Sequence, residues 1–128
     1  GALLGARLGA ASQALYLAAG IAGLPVFAAG GGAAYLLGPT GGYLMAYPLA
    51  AFLAGAFAHR GLARALGGLL LGLAAIYAGG LAWLSIVGDV NAAVAVGLRP
   101  FIMMDLVKVA IALAVVWRVG RRSRALVA

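Results

Sequence analysis

Hydrophobic residues run through this chain in long unbroken blocks, separated by short polar or glycine-rich breaks, without the alternation of a half-buried strand. Four blocks approach or reach the roughly 20 residues that a helix needs to cross a bilayer at ~1.5 Å per residue. They cover 3–23, 43–58, 66–87 and 100–117. Ala, Leu and Gly dominate them, and the period-two pattern of a membrane barrel is missing. The expected fold class is therefore all-α: a polytopic membrane protein of about four transmembrane helices, forming a single transmembrane domain over 1–128. The fourth block opens at Pro100, whose fixed φ and missing N–H suit the first position of a helix. Pro48 removes one backbone donor inside the second and should bend it.

The breaks differ in chemistry. An outer loop over 24–42 starts with Leu24 and Pro25, which should end the first helix, and continues through Gly30, Gly31, Gly32, Gly38, Pro39, Thr40, Gly41 and Gly42 as irregular backbone. An inner loop over 59–65 is short and basic. An outer connection over 88–99 opens with Gly88, Asp89, Val90 and Asn91 and predicts a short interfacial helix over 92–98. Gly5-x-x-x-Gly9 and Gly68-x-x-x-Gly72 are small-residue pairs that let helices approach closely, and packing within the chain is their default use.

Composition confirms the solvent. Apolar residues make up 66% of the chain and charged residues 9%, with a mean hydropathy of +1.15; an ordinary soluble domain is about a quarter charged. Little is left for a water-facing domain. The net charge of +7 has a topological origin. Arg7, Arg60, Arg64, Arg118, Arg121, Arg122 and Arg124 fall on one side of a four-span arrangement, against Arg99 on the other and Lys108 within the membrane. The cytoplasmic bias of Lys and Arg then puts both termini in the cytoplasm. Topology plus attraction to anionic lipid accounts for the charge, and no nucleic-acid partner is needed. With no cysteine, disulfides and thiolate metal sites are excluded; with one histidine and two acids, neither a metal site nor a cofactor is expected.

Two ionisable residues stand out inside the fourth block, Asp105 and Lys108. At i and i+3 they share one helix face, so each partly neutralises the other. Charges at membrane depth cost ~2.5–3.5 kcal/mol each even on lenient scales and usually face a bundle interior or a water-filled cavity. The pair is the primary site candidate; its structural alternative is a salt bridge pinning two helices. The second candidate is Thr40, Gly41, Gly42 and Tyr43, where glycines allow close backbone approach and a tyrosine offers a flat face with a polar edge. Tyr16, Tyr77 and Trp83 could line a pocket, although interfacial anchoring is the simpler role for Trp83 and Trp117.

Catalysis finds no support. Ser12, Ser85 and Ser123 lack base and acid partners, His59 belongs to the face opposite Ser85, and the chain holds no P-loop. Active transport would have to draw energy from partner ATPases or from an ion gradient.

Three strings stand in order along the chain: Gly-Leu-Pro-Val-Phe-Ala over 23–28, Leu-Leu-Gly-Pro-Thr-Gly-Gly-Tyr-Leu over 36–44 and Pro-Phe-x-x-x-Asp-x-x-Lys over 100–108. Together they resemble the BioY family, the biotin-binding S components of energy-coupling factor (ECF) transporters, over essentially the whole chain. The resemblance implies a prokaryotic plasma-membrane subunit that captures biotin from outside and delivers it with an ECF transmembrane coupling subunit and ATPase subunits. Such subunits have six spans. The four here resemble the last four, so the chain, which begins at Gly1, is read as a fragment lacking the first two, and docking to the coupling subunit is in doubt. Family members often carry glycine immediately before the acid of the last string, where this chain has Met104. That side chain should either crowd the pocket or face lipid.

Biotin offers two ureido N–H donors and a carbonyl acceptor, an apolar bicycle and a carboxylate on a flexible tail. Asp105 can accept the ureido N–H groups, and Lys108 can donate to the carbonyl or pair with the carboxylate, each as a charge-assisted hydrogen bond. Spacing does not decide which residue meets which end. The alternatives are an ion- or proton-coupled channel or exchanger in which Asp105 titrates, opposed by Lys108 beside it, and a structural helix-packing subunit without a ligand.

Overall fold

The computed structural model describes residues 1–28 and 30–127, with side chains through Arg122. Ala29, in the outer loop, and the side chains of Ser123 and Arg124 lie outside the described residues. The helices in chain order are α1 (Ala6–Ile21), α2 (Ala34–Leu37), α3 (Gly41–Ala58), α4 (Leu62–Val87), α5 (Val90–Gly97) and α6 (Ile102–Val127). Among the described residues there is no strand, only an isolated bridge between Phe27 and Gly30. The protein is an all-α membrane protein.

Local chemistry sets the boundaries. α1 stops where Gly23 takes a φ of 102°, a region open to glycine at little cost, and where the Leu24 N–H turns back to the Ala19 carbonyl at 3.2 Å. Pro25 follows, so the helix cannot resume. The loop beyond it is less irregular than its glycines suggest, because residues 34–37 form the single turn α2. Gly61, with a φ of 105°, reverses the chain between α3 and α4. α4 consequently starts at Leu62, earlier than expected, and Arg64 belongs to its first turn and not to the inner loop. Asp89 caps α5 by accepting the Ala92 N–H at 3.2 Å.

Pro100 sits in the turn ahead of α6 and not inside the helix, with the Ile102 N–H bonded to the Leu98 carbonyl at 3.0 Å. α5 and α6 meet there at a bend of 50°. Pro48 does lie within α3, where it cannot donate to the carbonyl of Leu44.

Among the described residues, α3 and α4 are long and apolar enough to cross a membrane, and the bent pair α5–α6 adds a third crossing if it is taken as one span. α1, at 16 residues, measures about 24 Å and is shorter than the ~30 Å hydrocarbon layer.

The core is built from small residues. α3 packs against α1 on one side and α4 on the other, while α5 and α6 lean on α4. Along the α3–α4 seam a methyl group on Gly72 would stand 2.8 Å from the Ala50 carbonyl oxygen, and one on Gly79 would stand 2.9 Å from the Ala46 Cβ. A methyl on Gly68 would meet the Phe57 Cβ at 2.8 Å. Both expected small-residue pairs therefore serve packing within the chain, Gly5 and Gly9 approaching α3 at Gly55 and Ala51. With lipid as solvent there is no hydrophobic drive to hide large side chains, so Leu8, Leu15, Leu49 and Ile111 point outward at no penalty.

Candidate functional site

Because α1 packs on α3 and α6 packs on α4, the face of the α3–α4 pair between these two flanking helices is left as a cleft. Its volume is about 720 Å³, inside the range of small-molecule sites. Along α3 it runs from the level of Thr40 to that of Ala54, about 20 Å at ~1.5 Å per residue.

Asp105 sits in the first turn of α6, where the positive end of the helix dipole favours an anion. Lys108, one turn on, holds its Nζ 3.0 Å from Asp105 Oδ1. The other carboxylate oxygen, Oδ2, accepts a hydrogen bond from the Tyr77 hydroxyl of α4. The ion pair is thus internal to α6 and pins no second helix; the tie across helices is Tyr77. The two charges are unequally sheltered, the Asp105 side chain being 19% exposed and that of Lys108 71%. An ammonium has three donors and Asp105 takes one, so two remain for a guest in the cleft.

Of the residues singled out from sequence, Asp105, Lys108, Thr40 and Tyr43 line this cleft together. Gly41 and Gly42 do not. They open α3, and side chains there would collide with the Leu36 carbonyl and with Gly79 and Trp83, so their smallness lets helices meet and leaves Tyr43 on the cleft wall. The Tyr43 hydroxyl donates to the Gly97 carbonyl at 2.8 Å, bridging α3 to α5 and turning the ring toward the cleft. Met104 is 62% exposed and does not line the cleft, so it does not crowd it.

The aromatic lining exceeds what sequence suggested. Tyr16 and Tyr77 do reach the cleft, joined by Phe27, Tyr35 and Tyr47. Tyr16 stacks on Tyr47 at 6.3 Å and meets the edge of Phe27 at 5.5 Å, and Tyr43 meets Tyr77 edge-on at 6.4 Å. Tyr43 and Tyr47 are i and i+4 on one helix, a spacing that puts both on one face and could have flagged Tyr47. Phe27 falls in the Gly-Leu-Pro-Val-Phe-Ala string that carries the family resemblance, a signal that could have flagged it, whereas nothing local marks Tyr35, which arrives by folding of the outer loop. Trp83 stays outside the cleft and donates its indole N–H to the Gly38 carbonyl at 2.8 Å, fastening that loop to α4. Ser12 and Ser85 donate to carbonyls of their own helices, Gly9 and Leu81. Among the described residues no three His, Cys, Asp or Glu gather as metal ligands.

Chemically, the cleft is a flat-sided apolar slot with one compensated ion pair on a side wall. It suits a guest with a ring system and a few polar atoms.

The sequence pattern of the BioY family matches residues 1–125. The chain is 44% identical over 119 residues to the probable biotin transporter BioY of Pyrococcus horikoshii, covering 92% of this chain and 72% of that protein. It is 40% identical over 123 residues to the biotin transporter BioY of Thermotoga maritima, covering 93% and 73%. The crystal structure of the S-component for biotin from an ECF-type ABC transporter superposes with a TM-score of 0.78 at 30% identity, over 94% of this chain and 69% of the other. By pattern, relatives and architecture, this chain belongs to the BioY family.

Proposed function

We propose that this chain is a substrate-binding membrane subunit for biotin uptake, which captures the vitamin from the outer side and passes it inward with ECF coupling and ATPase subunits. Its family is one of transporter subunits and not of enzymes, and its named relatives are biotin transporters. In this reading the four spans are centred on α1, α3, α4 and α6, with α5 in the outer connection, both termini are cytoplasmic, and the cleft opens outward.

One observation carries the proposal: a single compensated ion pair, steadied by Tyr77 from a second helix, lines a cleft of about 720 Å³ that is otherwise almost wholly apolar and aromatic. A hydrocarbon ligand would not need the charges, and an inorganic ion would not need the aromatic walls. Biotin needs both. Asp105 accepts ureido N–H groups with the lone pairs that Lys108 and Tyr77 leave free, and Lys108 turns its two remaining donors to the ureido carbonyl or the carboxylate. Tyr43, Tyr47 and Tyr16 cover the bicycle and tail, and Thr40 closes the outer end.

The ion- or proton-coupled alternative is weaker, because the carboxylate it would titrate already holds a cation and a phenol. A purely structural subunit leaves the cleft without a purpose. Equilibrium binding of radiolabelled biotin to the detergent-purified chain tests the proposal. The expected result is saturable binding displaced by unlabelled biotin; a well-folded protein with no specific uptake of label rejects it.

A further inference from the structure

At the end opposite the Asp105 cleft, where α3 ends, α4 begins and α6 leaves the membrane, there is a second hollow of about 480 Å³. Its floor is apolar, formed in part by Leu3, Ala58, Leu62 and Val116, and its rim carries Trp117 and Arg121. The Arg121 guanidinium lies 4.8 Å from the centre of the Trp117 ring, held by a cation–π contact one helical turn apart.

Depth follows from helix length. About 20 residues cross the ~30 Å hydrocarbon layer, and counted from Ile102 they end at Arg121. Arg121 and Arg122 therefore stand at the level of the lipid phosphates, with Trp117 in the interfacial belt just inside. Arg60, Arg64, Arg118 and Arg122 are exposed at the same end. The chain has only two acidic side chains, and both, Asp89 and Asp105, belong to the other end, Asp89 lying beyond the 26 residues of α4. No carboxylate side chain within residues 1–128 stands at this end to balance these cations.

We infer that this groove is a binding site for one anionic phospholipid of the leaflet at this end, with an acyl chain on the apolar floor and the phosphate on Arg121. The two halves of the groove select that chemistry together. Free phosphate would use the rim and ignore the floor. A zwitterionic lipid would use the floor and bring a cation of its own to a rim already crowded with arginines. Arg121 suits phosphate through its planar fork of donors, held in orientation by Trp117.

The test is native mass spectrometry of the full chain released from a neutral detergent containing equal amounts of phosphatidylglycerol and phosphatidylcholine. One phosphatidylglycerol per chain should be retained, with a preference over phosphatidylcholine of at least about fivefold, the scale of one cation near an anionic surface. Arg121→Met should abolish most of that preference, and Arg121→Lys, which keeps the charge but not the fork, should retain part of it. Leu62→Trp fills the floor, leaves every charge in place, and should release the lipid as well. Helicity by circular dichroism identifies variants that have kept the fold. Equal retention of the two lipids by the unaltered chain overturns the site, as does undiminished phosphatidylglycerol retention in both Arg121→Met and Leu62→Trp. Displacement by glycerol phosphate at equal concentration would show that the rim acts without the floor and rejects a lipid site. Intact lipid retention in Arg121→Met, with lost co-purification of a coupling subunit, would assign the face to a protein partner instead.

Discussion

The cleft at Asp105 and the groove at Arg121 are both apolar hollows with charge on one wall, and they differ in what balances that charge. In the cleft the chain supplies both signs: Lys108 lies 3.0 Å from Asp105, and Tyr77 satisfies the second oxygen. At the groove it supplies only cations, and every acidic side chain is elsewhere. With the spans placed as proposed, the difference follows depth. Within the hydrocarbon layer an uncompensated charge costs several kcal/mol or draws in water, so polarity survives there only in matched form. At the phosphate level the membrane itself is the counter-ion, and the chain need not carry one.

The sharpest way to break this contrast is to delete one cation from each place. Lys108→Met strands a carboxylate at membrane depth and should lower stability by about 2–3 kcal/mol, less than the ~3–5 of a fully enclosed pair because the Lys108 side chain is largely exposed. Arg121→Met should change stability by less than about 0.5 kcal/mol. Unfolding of both variants in the same detergent measures the difference, and equal losses would remove the distinction. Next in size, Asp105→Asn should weaken biotin capture by at least about 1.5 kcal/mol, close to tenfold in Kd, the low end for a hydrogen bond to a charged group. Unchanged affinity in a folded Asp105→Asn variant ends its role as a ligand.

Tyr77→Phe should cost about 1 kcal/mol in the same binding assay, since it loosens the carboxylate without removing it. Combined with Asp105→Asn it should add less than its separate effect, because the two side chains share one hydrogen bond. Full additivity would mean that Tyr77 touches the ligand independently. Smallest of all, Arg121→Ala with Arg122→Ala should leave biotin affinity within about twofold, while altering lipid retention or topology. A large loss of binding would place the site at the wrong end of the bundle.

Much of this was legible without coordinates. Unbroken apolar blocks can only be helices in lipid, because no other open backbone satisfies its own hydrogen bonds there, and i,i+3 spacing obliges Asp105 and Lys108 to share a face. Both follow from local rules, so order along the chain is enough. Other features depend on which helix meets which. A glycine announces that something approaches closely and is silent about what. Gly41 and Gly42 read as a ligand wall, yet the close neighbours are Leu36, Gly79 and Trp83. Tyr77, 28 positions before Asp105, becomes its partner only when α4 and α6 lie side by side.

The chain's own order thus determined the solvent, the helices and the charged pair, since each depends on residues within a turn or two of one another. Tertiary packing decided the cleft, its aromatic walls, the phenol that steadies the acid, and the oily groove beneath the arginines. Those are spaces and contacts between helices, and a space between helices exists only once small residues have set how near the rods can come.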